Sequence, residues 1–159
     1  MLMIKFFRLF LFIMFGYFSM QVSASGNEVV MPNPDIAPLE VVDIQLTGLQ
    51  NNDNPERDFG IRQTWAFAHP RNRRMTGPYP RFAQMIRSPA YIKMIDHATH
   101  TITLAKQGEG WRQFDVLMET SGGNVLFFSW VVEKLTEGEF QDCWMTTSVS
   151  APSPAGQGS

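Results

Sequence analysis

Four apolar runs follow one another in the last third of the chain: His97–Gln107, Trp111–Thr120, Asn124–Leu135 and Phe140–Val149. Short turns separate them: Gly108-Glu109-Gly110, Ser121-Gly122-Gly123-Asn124 and Thr136-Glu137-Gly138-Glu139. Alternation at period two, with glycine at each turn, predicts one antiparallel meander of four strands. In the first strand Ala98, His100, Ile102 and Leu104 share a face, and Thr99, Thr101 and Thr103 share the other. In the second, Phe114, Val116 and Met118 oppose Gln113, Asp115, Leu117 and Glu119. The third is apolar on both faces, Val125, Phe127 and Val131 against Leu126, Phe128, Trp130 and Val132. Such a strand is covered on both sides or binds something. In the fourth, Phe140, Asp142, Trp144 and Thr146 alternate with Gln141, Cys143 and Met145.

Upstream the period changes. Leu39, Val42, Leu46 and Leu49 form a narrow helical stripe, opening near Asp35–Pro38 with Pro38 in the first turn. Pro55, Glu56 and Asp58 open a second helix that runs to Ala68 and stops at His69-Pro70. Its apolar residues face two ways: Phe59, Ala66 and Phe67 against Ile61, Trp65 and Ala68. Arg71–Pro78 reads as a loop, and Pro80–Ser88 as a third helix presenting Phe82, Met85 and Ile86. Tyr91–Ile95 adds one more turn. The expected fold is therefore α+β, with N-terminal helices packed on a curved four-stranded antiparallel meander.

The first 24 residues read as targeting rather than fold. Lys5 and Arg8 precede the apolar run Leu9–Phe18, and Val22-Ser23-Ala24 is a small-residue cleavage site. That is the form of a secretory signal peptide cleaved after Ala24, which predicts a secreted, periplasmic protein. Residues 25–34 read as a linker, 35–149 as one domain and 150–159 as a Pro/Ser/Gly-rich disordered tail. Removing 24 of 159 residues leaves 135, enough for one domain with a sizeable core. Without Lys5 and Arg8 there remain 11 basic and 15 acidic side chains, a formal charge of −4. That balance argues against a nucleic-acid partner. Cys143 is the only cysteine, so no internal disulfide forms, and it reads as a buried inert thiol.

Charge is uneven. From Arg62 to Met94 there are seven basic residues and no acidic one. Arg71, Arg73, Arg74, Arg81 and Arg87 could form an anion-attracting face for phosphate, carboxylate or a lipid surface. The alternative is that they pair with the flanking carboxylates. His69, His97 and His100 are the only histidines. On a strand, His97 and His100 would lie on opposite faces, which argues against a shared metal. No cofactor motif and no Gly-x-Ser-x-Gly elbow is present.

Helices followed by a twisted meander, in about 115 residues, resemble the nuclear-transport-factor-two-like (SnoaL-like) α+β cone. More specifically, Val42–Thr147 resembles the secreted family called domain of unknown function 4864. The matching residues are Gln45-Leu46, Asn52-Asp53, Trp65-Ala66-Phe67-Ala68-His69-Pro70, Thr76-Gly77-Pro78, Arg81-Phe82, Pro89, Tyr91, Gly123, Trp130 and Cys143-Trp144-Met145-Thr146. The resemblance implies a cone-like fold with a pocket at its open end, and no reaction. Some members of the wider superfamily are enzymes; ketosteroid isomerase pairs an Asp base with an oxyanion hole of Tyr and a protonated Asp. Candidates for such roles are Asp115 and His100 as acid or base and Tyr79 or Tyr91 as donors, and the resemblance assigns none of them.

The leading expectation is a non-catalytic ligand-binding or interaction module with a small apolar pocket. Phe67, Phe82, Tyr91, Ile102, Phe114, Met118, Phe128, Trp130 and Trp144 are its expected lining. The first alternative is an isomerase- or hydratase-type enzyme using His100 or Asp115. The second is a module dimerising through Leu117, Val131 and Trp144 on an exposed sheet face. An enzyme requires a carboxylate or imidazole in the pocket beside a second polar group.

Overall fold

A computed structural model describes residues 28–155. The expected signal peptide lies outside the described residues. The elements are α1 (Pro38–Gln50), α2 (Phe59–Ala66), α3 (Pro70–Thr76), α4 (Tyr79–Ile86) and a 3₁₀ turn at Ile92–Met94. The strands are β1 (Thr99–Gly108), β2 (Trp111–Glu119), β3 (Val125–Lys134), β4 (Trp144–Val149) and the short β5 (Ser153–Pro154). The fold is α+β, with an open antiparallel sheet in the order β1-β2-β3-β4 and β5 beside β3.

The meander forms where alternation and turn chemistry place it. Gly110 and Gly123 take φ of +71° and +81°, which a side chain would strain. Across β2 and β3, Phe114 faces Trp130 and Val116 faces Phe128. These inward residues are buried with Leu46, Leu49, Ile61 and Phe82 in one apolar core. The opposite face carries Asp115 and the exposed Leu117.

Several boundaries differ from the sequence reading, each for a local reason. The fourth strand begins at Trp144, not Phe140, because Phe140–Cys143 is a turn closed on Leu135: Leu135 N–H donates to the Cys143 carbonyl and Asp142 N–H to that of Leu135, both at 2.9 Å. Arg71–Pro78 is largely helix rather than loop. Pro70 sits at its first position, and His69 Nδ1 accepts from the Arg71 N–H at 3.0 Å. The proline that ends one helix thus starts the next. The second helix begins at Phe59 rather than Pro55, and Asn52 caps its first turn by accepting from the Ile61 N–H. The expected tail carries β5, where Ser153 and Pro154 pair with Phe127 and Leu126, and 156–159 lie outside the described residues. The linker is pinned too: the Gln63 amide both donates to and accepts from the backbone of Val30.

The stripe on α1 is rotated from expectation. Val41, Val42, Gln45, Leu46 and Leu49 are buried, while Leu39 is 48% exposed. The cause is a second packing partner. A Cβ on Gly60 of α2 would stand 2.1 Å from the Gly48 carbonyl oxygen, so α1 and α2 meet backbone to backbone. The α1 face that carries Gly48 is therefore covered as well.

Candidate functional site

The cavity lies between α3, α4 and β4. It has a volume of about 180 Å³. Met75, Phe82, Met85, Ile86, Tyr91, Met94 and Val149 form its apolar walls. Met75, 73% exposed, and Ser148, also exposed, stand at its mouth.

The floor is polar and neutral. Gln45, Thr64, Trp130 and Thr146 all line it, and all are buried. Thr146 Oγ1 donates to Gln45 Oε1 at 2.6 Å. Trp130 Nε1–H donates to Thr146 Oγ1 at 3.0 Å and to Gln45 Oε1 at 3.3 Å. Gln45 Nε2 donates to the Thr64 carbonyl at 2.9 Å. The network joins α1, α2, β3 and β4, and each side chain in it has at least one hydrogen-bond partner.

Beta-strand irregularity shapes the rim. The register between β3 and β4 shifts at Val131/Val132, where Thr147 is the extra residue. Thr146, Thr147, Ser148 and Val149 consequently all border the cavity, which regular alternation would forbid. Strand β4 is held at this point by a short parallel pairing with the end of α2: Thr146 N–H donates to the Phe67 carbonyl and His69 N–H to that of Thr146, both at 2.8 Å.

Of the nine expected lining residues, Phe82, Tyr91 and Trp130 border the cavity. Phe67, Phe114, Met118 and Phe128 are buried in the core instead, and Ile102 packs against it. These residues pack with the buried face of α1, and the open volume lies beside β4. Trp144 lies under the Arg112 guanidinium, 5.1 Å from its ring centroid. Register places Trp144 on the same face as Arg112 and Val132, away from Leu117 and Val131, so these three cannot form one exposed dimer patch.

Neither catalytic candidate reaches the cavity. Asp115 is half-buried on the outer sheet face, between Thr103 and Ser129. His100 Nδ1 lies 2.8 Å from His97 Nε2, and its Nε2 lies 3.5 Å from Asp43 Oδ1. The expected separation of the two histidines is corrected: His97 precedes β1, so strand alternation does not apply to it. Among the described residues no group of three or more His, Cys, Asp or Glu is placed to hold a metal.

The basic residues take separate tasks. Arg71 pairs with Glu133 at 2.7 Å, and Arg87 pairs with Asp58. Arg73 is drawn inward: its Nη2 donates to the carbonyls of Trp65 and Ala66, at 3.0 and 2.8 Å, and its guanidinium covers the Trp65 ring. It serves the carbonyl end of α2. Burial lowers its pKa. Arg74 and Arg81 are exposed and form no ion pair with a described residue. Cys143 is buried, and burial first, then the Asp142 carboxylate, raises its thiol pKa. An un-ionised thiol is a poor nucleophile.

Sequence reasoning missed Gln45, Thr64, Asn72 and the methionines. One signal was available: Gln45 interrupts an otherwise apolar helix face, and a polar residue there must find a buried partner.

No family model matches the chain, and no curated protein or solved structure matches it either.

Proposed function

We propose that the chain is a non-catalytic binding module whose cavity takes a small, uncharged, largely apolar molecule. One observation carries this reading: among the described residues no carboxylate, imidazole, amine, guanidinium or thiol lines the cavity, and Tyr91 is the one titratable group there. General acid–base or nucleophilic chemistry needs such a group at the reacting atoms. A pocket of apolar walls with a few fixed polar groups is the form of a binding site. At about 180 Å³ it suits a molecule well below drug size.

In this reading the sheet curls around α1 as a SnoaL-like cone, and the chain is a member of domain of unknown function 4864. Support comes from the open four-strand meander and the buried face of α1, which shares one core with the inner face of the sheet. A cleaved leader would place the module in the periplasm, where it would meet its ligand. No described helix is long and apolar enough to cross a membrane.

Native mass spectrometry of the chain purified from its own cell envelope tests the reading. The expected result is a bound mass of roughly 100–200 Da, as befits a cavity of this order. Met85→Trp, which fills the cavity from its wall, should remove it. A bound mass retained in Met85→Trp would overturn the assignment of the cavity.

A further inference from the structure

We infer that the cavity selects a single neutral ring bearing one oxygen acceptor, such as an aryl ketone, an aryl amide or a phenol. The inference rests on the binding reading above and adds the chemistry of the ligand. Size sets the first limit. An apolar cavity of about 150 Å³ holds benzene, so about 180 Å³ admits a ring with two or three more heavy atoms. A long acyl chain or a fused-ring steroid does not fit within it.

The walls set the second. Met75, Met85 and Met94 approach from three different segments, and Phe82 closes the wall between them. Thioethers adapt to irregular shapes and make favourable contacts with the edges of aromatic rings.

The floor sets the third. Gln45 is 0% exposed and lines the cavity. Its Oε1 is occupied by Thr146 and Trp130. Its Nε2 carries two protons. One goes to the Thr64 carbonyl, and the other has no acceptor among the described residues. A buried N–H without a partner is costly, and a ligand oxygen at the floor supplies one. An aliphatic or plain aromatic hydrocarbon does not. A carboxylate is excluded for a different reason: no cation among the described residues lines the cavity to compensate for its lost hydration.

The test is calorimetric titration of the mature chain with acetophenone, ethylbenzene and benzoate. Acetophenone should bind about tenfold more tightly than ethylbenzene, the effect of one buried hydrogen bond. Benzoate should bind at least that much more weakly than acetophenone. Gln45→Met keeps the volume and removes the donor, and it should erase the preference for acetophenone over ethylbenzene. Met85→Trp should abolish binding of both neutral probes. Ethylbenzene equal to or tighter than acetophenone, or benzoate tightest of the three, overturns the ligand class and leaves the binding reading standing. No binding by any probe, or binding indifferent to Met85→Trp, overturns both. Circular dichroism checks the fold of Gln45→Met; if that variant does not fold, the wild-type ranking alone decides.

Discussion

His97 Nε2 stands 2.8 Å from His100 Nδ1, and the direction of that hydrogen bond follows from its surroundings. His97 Nδ1 lies 2.8 Å from the Met94 carbonyl, so Nδ1 carries the proton. In neutral His97, Nε2 is then an acceptor, and His100 donates to it. Asp43 Oδ1 faces the far nitrogen of His100 at 3.5 Å, and Asp96 precedes His97 in the chain. Burial lowers the pKa of His97; the Met94 carbonyl opposes this and His100 adds to it.

A pH dependence follows. Below about pH 6.5 the unfolded chain binds a proton at this histidine. Folded His97 resists protonation, so stability falls as pH drops from about 7 toward 5, and levels off once the folded state is protonated too. His69, whose pKa is lowered by burial and then by Arg71, acts in the same direction. Urea unfolding at several pH values measures the slope. His97→Asn keeps a donor for the Met94 carbonyl and should flatten it; an unchanged slope would show that His97 is not its source.

Gln45 ties four elements together at the cavity floor. Gln45→Leu leaves the Thr146 hydroxyl proton without its acceptor and the Thr64 carbonyl without its side-chain donor, while Trp130 keeps its bond to Thr146. The expected cost is about 1–3 kcal/mol, from chemical denaturation. A neutral result would mean that the network contributes nothing to stability.

Two glycines that meet across the α1–α2 contact should respond differently. At Gly60 an added Cβ falls 2.1 Å from backbone, which cannot yield without moving a helix. At Gly48 it falls 3.2 Å from Cβ and Cγ of Gln63, so the neighbour need give by only a few tenths of an ångström. Gly60→Ala should destabilise by about 2 kcal/mol or more. For Gly48→Ala, relief of the helical glycine penalty of about 1 kcal/mol offsets much of the crowding. Similar melting temperatures for the two variants would contradict the close helix approach.

Arginine substitutions should separate structure from surface. Arg73→Ala removes two charge-assisted bonds at the end of α2 and a stacked guanidinium, at an expected cost of about 1.5–3 kcal/mol. Arg74→Ala and Arg81→Ala should stay within about 0.5 kcal/mol. If the basic face meets anionic lipid, the Arg74/Arg81 double variant should weaken salt-sensitive vesicle binding without unfolding. Vesicle binding unchanged in that variant would end the lipid proposal.

The meander was legible in the sequence because strand alternation and glycine turns are local signals. Phe114, Val116, Met118, Phe128 and Trp130 are inward as their spacing requires, and no distant contact could move them without breaking the pleat. The identity of α3 was not legible, since His69-Pro70 carries the same residues whether a helix ends or begins there. Nor was the rotation of α1, which needed the encounter of Gly48 with Gly60 across the helix contact. The cavity was least legible of all. Its floor joins Gln45 to Thr146 across 101 positions, and its rim depends on one extra residue in β4. Side-chain period says which way a residue faces. Only the packing of the helices against the sheet decided that Phe114 fills the core and the space beside β4 stays open.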